Sequence, residues 1–532
     1  MIIEPNRRHF LASTIAVASA GSLGFLLPVG GRHALAATPM SLIAERRVLD
    51  VKGRAASVFG IRQPNGIAGL VIDPGQRFLV NVANRAGEDT VIHWHGQTPP
   101  NVQDGVTETG SALIKAGTQQ GYDFAPRSGT HWMHSHHGLQ EQQLMAAPLV
   151  VRSAKDLRQD AQEVTVLLHD FSFRDPAELL ADLVGGSGMP GMAPASAGTP
   201  AGNIPSLSAT GHMMPGRRGM PGAVMHGMQG MQGMSATPPS QPMAVMPGMT
   251  STPDAVQPGA MPDLNDITYD AYLANDRTLD DPLVIRTERN GRIRLRLING
   301  AASTAFWIDL GGATAIILAV DGNAVQPIIA SRFPLAQAQR LDLLITMPAG
   351  GRTVPVLAQR EGDRVRTGVI LATPDATVTR IGDQADAEAA AIDLSIEQRL
   401  VAVTPLAARA PGVTHRIALT GAMMPYVWSI NDKTWDNRVP LSVAKGQRVV
   451  LEMLNRTPMA HPMHLHGHHF QVVALNGTSL SGAVRDTVLV PGNGTVAVAF
   501  DADNPGRWVL HCHNMYHMAA GMMTEIAYDR ST

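Results

Sequence analysis

Gly75-Gln-Arg-Phe-Leu-Val-Asn-Val-Ala-Asn84 alternates apolar and polar positions. That is the period of a strand with one face in a core. Two later stretches repeat the pattern, Gly291-Arg-Ile-Arg-Leu-Arg-Leu-Ile-Asn299 and Gly446-Gln-Arg-Val-Val-Leu-Glu-Met-Leu-Asn455. Each opens on Gly and closes on Asn, and their starts are 216 and 155 residues apart. The longer gap holds a foreign segment. From Gly185 to Pro262 the chain turns to Gly, Pro, Ser, Ala and Met without one aromatic residue. Without those 78 residues the first gap shrinks to 138, close to the second. The pattern predicts an all-β chain of three related Greek-key sandwich or barrel domains, built from short strands between Gly, Pro, Asn and Asp turns. Helix signals are few, and Asp175 to Val184 is one short candidate. The boundaries fall at residues 38–155, 156–374 and 413–532. The insertion 185–262 lies early in the second domain, and an Ala-, Asp- and Glu-rich linker runs over 375–412.

Residues 1–37 have a different character. Asn6-Arg7-Arg8-His9-Phe10-Leu11 is a twin-arginine pattern, an apolar run follows to about Val29, and Ala34-Leu35-Ala36 offers an A-x-A cleavage site. Gly21, Gly24 and Pro28 interrupt the run and argue against a membrane anchor. The expectation is a signal peptide and a mature protein without a membrane span, exported in folded form to a bacterial periplasm. Hydrophobic residues make up 44% of the chain and its formal net charge is −2. Nothing in that balance calls for nucleic acid or an anionic membrane.

Export sharpens the meaning of the single cysteine, Cys512. It has no internal partner for a disulfide, and a free thiol is exposed to oxidation in such a compartment. A metal-bound thiolate is protected. Its surroundings, His511-Cys512-His513 with His517 and Met522, match that role. Three further clusters are His93-Trp-His95-Gly96, His134-Ser-His136 and His461-Pro-Met-His464-Leu-His466-Gly467. Together the four hold ten of the twenty histidines. On an extended chain alternate residues point the same way. His93 with His95, and His134 with His136, therefore face one side each. In His511-Cys512-His513 the imidazoles face one way and the sulfur the other, so one backbone segment joins two metal centres. Two His, one Cys and a weak axial Met describe a blue-copper electron-transfer site. Cys512, His517 and Met522 supply three of these, and His461 is the candidate for the fourth. The remaining eight His form a nitrogen-only set suited to copper and O2. After Asn299 the second repeat continues without His, so the cluster is expected where the first and third domains meet.

In these motifs the sequence resembles the multicopper oxidases, closest to the bacterial copper-resistance and cuprous-oxidase branch, with laccases as relatives. The likeness covers nearly the whole chain after the signal, apart from the insertion. It implies three cupredoxin-like domains and four coppers per chain. The type 1 ligands would be His461, Cys512, His517 and Met522. His93 and His464 would hold type 2 copper. The type 3 pair would lie between His95, His134 and His513 on one side and His136, His466 and His511 on the other. Asp104, nine residues after His95, falls where relatives carry an acid near the cluster and would assist proton delivery. Met518 stands where some relatives carry a second carboxylate. His131, His137, His468 and His469 lie off the pattern and are expected behind ligands or at solvent. Arg485-Asp486 reads as a structural ion pair or loop brace.

Thirteen of 27 methionines lie between Met189 and Met261, with Met225, Met228, Met231 and Met234 at every third position. The Gly and Pro around them oppose a stable helix, so this segment is expected to be disordered. Thioethers are soft ligands for Cu(I), and extra Cu(I) is expected there. Met459, two residues before His461, is placed on the electron path. The expected reaction couples oxidation of Cu(I), for copper tolerance, to reduction of O2 to water. Laccase-like oxidation of phenols or aromatic amines is the alternative, and copper storage without turnover a third reading. A monomer is expected, because one chain carries every ligand.

Overall fold

The computed structural model describes residues 38–186 and 264–529. Six sheets draw their strands from three successive stretches of chain, two sheets from each. One pairing recurs in all three. Met40–Val51 runs parallel to Phe78–Arg85, Gln162–Phe171 to Arg292–Asn299, and Val413–Met423 to Arg448–Asn455. The second strand of each pair is the one the alternation predicts. Each then pairs antiparallel with a later strand: Gln119–Phe124, Arg340–Thr346 and Thr495–Asp501.

The closing Asn of each repeat has one job, done three times. Its Oδ1 accepts the N–H two residues on, from Ala86, Ala301 or Thr457, at 2.9–3.0 Å. Its Nδ2 donates to carbonyls of the loop and of a distant strand: Glu88 and Ile114, Thr304 and Leu335, or Met459 and Val490. An Asx turn of this kind redirects the chain and satisfies buried carbonyls at once. In the first and third copies the redirected chain carries His93 and His461.

The middle repeat strand does not put its polar side in water. Arg294 and Arg296 are buried. They pair with Asp342 at 2.7 and 2.9 Å, and Arg296 also with Glu163 at 2.7 Å. An opposing carboxylate offsets the cost of burying each guanidinium.

The predicted helix forms over Pro176–Gly185. Asp175 caps it by accepting the Ala177 N–H at 2.8 Å, and Gly186 closes it at φ +72°. Residues 187–263, which hold nearly all of the expected Met-rich insertion 185–262, lie outside the described residues, as do residues 1–37, where the signal peptide is expected. The hairpin partner of Gln162–Phe171 is Ala271–Ala274. The insertion therefore belongs to the connection that in the third copy is the short turn Met423–Tyr426. The stretch 375–412 is more than a tether. Ile392, Leu394, Ile396 and Leu400 are buried in the same core as Phe333 and Leu335. Among the described residues no helix is long and apolar enough to cross a membrane.

Candidate metal centres

Strand register brings the histidines together. His93 lies opposite His134, His464 opposite His511, and Met463 opposite Cys512. Beyond its strand, Arg507–Cys512, the chain keeps the alternation for one more residue. The rings of His511 and His513 stand 5.5 Å apart on one side, while the Cys512 sulfur turns to the other.

There Sγ lies 3.7 Å from His461 Nδ1 and 3.8 Å from His517 Nδ1. The two Nδ1 atoms are 3.1 Å apart. The outer nitrogens are anchored: His461 Nε2 by the Thr457 hydroxyl at 2.8 Å, and His517 Nε2 by Asp266 at 3.1 Å. His517 rides on the short helix Met515–Ala519, capped by Asn514. Met522 is drawn back by the Cys512 N–H, which donates to its carbonyl at 3.1 Å, and its side chain is fully buried. Trp428 covers His517 with ring centroids 4.1 Å apart. Burial pushes the Cys512 thiol well up, so this pocket favours sulfur that is either protonated or bound to a cation.

The other eight histidines converge behind this group. His93 Nε2 and His464 Nε2 are 3.4 Å apart, and their Nδ1–H groups donate to the carbonyls of Asp104 and Asp486 at 2.8 and 2.9 Å. His466 Nε2 and His511 Nε2 are 3.0 Å apart, and His136 completes a close trio with them. The rings of His95, His134 and His513 stand 5.1–5.7 Å from one another. His93, His95 and His134 also form a close trio, as do His93, His464 and His466, so neighbouring donor sets share one cavity. Several of the inward nitrogens are buried with no protein partner: His95 Nδ1, His134 Nε2, His136 Nε2 and His513 Nε2. A buried nitrogen with no partner is costly unless a ligand takes it up. Burial holds His95, His136, His464, His466 and His513 well below the usual range, and His511 at about 3; the Arg340 guanidinium comes next for His95, and the neighbouring imidazoles add to the lowering in all six. Neutral imidazole is the form that binds a metal. The donor set fits copper.

Two buried acids brace this group. Asp104 Oδ2 accepts from His466 Nδ1 at 2.8 Å, and Oδ1, which has no hydrogen-bond partner, lies 3.4 Å from His93 Nδ1. The following Gly105 has φ +88°, and a Cβ there would fall 2.0 Å from the Ile92 carbonyl. The tight approach of that loop to His93 needs glycine. Glu141 is the acid the sequence did not reveal. Its Oε2 is 2.7 Å from His134 Nδ1, and its Oε1 stands 3.8 Å from His513 Nδ1. Its signal is faint, one Glu seven residues after His134.

Arg485 and Asp486 do not pair with each other. Arg485 binds Glu397 and Asp321 at 2.9 and 3.0 Å. Asp486 binds Arg340 and accepts from His95 Nε2 at 3.1 Å. Burial would raise the Asp486 carboxyl, but the Arg340 guanidinium brings it below the usual range. The mutual ion pair thus gives way to two separate braces, Asp486 lying at the bend between the strands Val484–Arg485 and Thr487–Val490. Two of the off-pattern histidines bond to the backbone beside the cluster. His468 Nδ1 donates to the His466 carbonyl at 3.1 Å, and His469 Nε2 to the Gly96 carbonyl at 2.8 Å. His131 is buried and His137 half-buried.

Three family models, each described as multicopper oxidase, match residues 46–156, 244–372 and 409–531. The chain belongs to the multicopper oxidase family. Multicopper oxidase MmcO of Mycobacterium tuberculosis is 31% identical over 471 residues, spanning 85% of this chain and 80% of that one. Copper resistance protein A of Escherichia coli is 25% identical and spans 99% of this chain and 100% of its own. The crystal structure of a multi-copper oxidase from Pseudomonas thermotolerans superposes with a TM-score of 0.63 at 20% identity, over 92% of this chain and 99% of that one. The three sandwiches are thus those of a cupredoxin-fold multicopper oxidase, an oxidoreductase that uses copper and O2.

Proposed function

We propose that this multicopper oxidase is a cuprous oxidase of the periplasm that protects against copper by converting Cu(I) to Cu(II). In this reading His461, Cys512, His517 and Met522 hold the type 1 copper. His93 and His464 hold type 2. His95, His134 and His513, with His136, His466 and His511, hold the type 3 pair, four coppers in all. Copper held there would supply one-electron acceptance beside Cys512 and the four-electron chemistry of O2 reduction among the eight histidines. The chain does the rest. Cys512 and its backbone neighbours His511 and His513 give a covalent path from sulfur to both type 3 ligand sets. That juxtaposition is the single observation carrying the oxidase reading. Asp104 Oδ1 and Glu141 Oε1, both without a hydrogen-bond partner, stand beside histidines of the cluster, where they would pass protons to reduced oxygen. Substrate electrons pass inward along His461 and His517, with Met459 buried two residues before His461.

Cu(I) is favoured as substrate by the thirteen methionines between Met189 and Met261. Relatives named for copper resistance point the same way. The same reading takes residues 1–37 as a twin-arginine signal, and 38–155, 156–374 and 413–532 as the three domains. The test is O2 uptake by the copper-loaded mature protein with Cu(I) as sole reductant, beside a phenol without added copper. Fast uptake with Cu(I) alone is expected. Fast uptake with the phenol and none with Cu(I) would make the enzyme a laccase.

A further inference from the structure

Five buried charges of alternating sign connect the 375–412 stretch to the histidine cluster: Glu397, Arg485, Asp321, Arg340 and Asp486. Arg485 binds Glu397 and Asp321 at 2.9 and 3.0 Å. Asp321 then accepts the Arg340 backbone N–H at 2.9 Å, and Arg340 closes a two-pronged pair on Asp486. All five are at most 7% exposed. Arg340 spends two further donors on the carbonyls of Thr130 and Ala338. Its fork is therefore fully fixed, and its charge is matched by Asp486.

Asp486 faces two ligands at once. Its Oδ1 accepts from His95 Nε2 at 3.1 Å and its carbonyl from His464 Nδ1 at 2.9 Å. Those two rings stack with centroids 3.7 Å apart. The Thr487 hydroxyl lies 3.2 Å from each ring and donates to Asp486 Oδ1 at 2.9 Å. Donation from Nε2 fixes the His95 tautomer that leaves Nδ1 inward. Gly96 makes room for the clamp. A Cβ there would lie 2.5 Å from Arg340 Nη2 and 2.9 Å from Asp486 Oδ2.

We infer that Arg340 is a positioning residue for copper at the eight-histidine cluster, acting through Asp486 on His95 and His464. The middle domain, which supplies none of the histidines, thereby controls how tightly the cluster holds its metal. Loss of Arg340 leaves the Asp486 carboxylate buried and uncompensated, so it turns away; His95 loses its brace directly, and His464, held by the Asp486 carbonyl and stacked on His95, loses the fixed neighbour it packs against.

The inference rests on reading the eight histidines as a copper cluster, and the test separates the two. Copper-loaded wild type, Arg340→Met and Arg340→Lys are challenged with a chelator, and cluster copper is followed by its type 2 EPR signal. The blue absorption at Cys512 serves as the folding control within each molecule. Cluster copper is expected to leave Arg340→Met ~10–100-fold faster than wild type, with the blue band retained and Arg340→Lys in between. Where Arg340→Met does not accumulate, Arg340→Lys carries the comparison. Equal release from wild type and the variant, or blue band and cluster copper falling together, would overturn the inference. A wild type that shows neither signal would instead sink the copper reading itself.

Discussion

His461 Nδ1 and His517 Nδ1 stand 3.1 Å apart, although 56 residues separate them in the chain. Two nitrogens that close cannot both carry hydrogens directed at each other. Each has its other nitrogen held by an outside partner, so both lone pairs point at one spot beside the sulfur. Replacing Cys512 by Ser removes the soft donor and keeps the shape. Blue absorption and substrate oxidation should vanish, while copper bound by the eight histidines stays. Absorption spectra with metal analysis check this, and a retained blue band would end the type 1 assignment.

Asp266 anchors His517 from the far side, and Asn514 Nδ2 holds that carboxylate at 2.7 Å. Orienting groups of this kind are worth ~10–100-fold in metal affinity. Asp266→Ala should weaken copper at Cys512 by that factor and leave the histidine cluster loaded. A copper titration read at the blue band measures it.

Asp104 and Glu141 each lie beside a pair of the clustered histidines, and each has one unpartnered carboxylate oxygen. Asp104→Asn and Glu141→Gln keep the volume and remove the acid. Reoxidation of the reduced enzyme by O2 should slow by at least about tenfold in each, given what positioned acids contribute. Anaerobic reduction at Cys512 should be unchanged. Stopped-flow traces of both half-reactions separate these acids from purely structural ones.

Glu361 gives the fold a pH-dependence of its own. Burial raises its carboxyl from 4.5 to about 7, although its Oε2 accepts the Ile392 N–H at 2.9 Å. A carboxyl raised on folding supports the fold fully below its unfolded value and loses that support as pH rises through 7. The loss between pH 4.5 and 8 amounts to about 3 kcal/mol. Glu361→Gln keeps an acceptor without the charge. Its Tm should match wild type near pH 4.5 and exceed it at pH 8, and parallel melts at the two pH values decide the matter.

The helix Pro176–Gly185 ends at Gly186 in a left-handed cap, which marks where the Met-rich insertion can be cut without fraying the helix. Replacing residues 187–262 with a short Gly/Ser linker should lower Cu(I) oxidation and keep or raise phenol turnover. Unchanged Cu(I) kinetics would leave the methionines without a role in substrate capture.

Much of this was legible in the sequence because strand chemistry is local. Period 2 announces the repeat strands and pairs His93 with His95, and it sends Cys512 away from His511 and His513. Glu141, Asp266, Arg340 and the true partners of Asp486 were not legible. Each acts on a residue far along the chain or from another sheet, and no periodicity encodes such a meeting. The burial of Arg294 and Arg296 was illegible for a related reason. Alternation reports two faces, but only packing decides whether the second face meets water or a ring of carboxylates.

The bracket formed by Asn84, Asn299 and Asn455 survives in all three repeats, whereas histidines follow it in only two. Holding a loop and arming it are therefore separate inheritances. The unarmed copy has become masonry. With no histidine in either group, it lends Asp266 to one centre and Arg340 to the other, and so stands as the common wall against which both are trued.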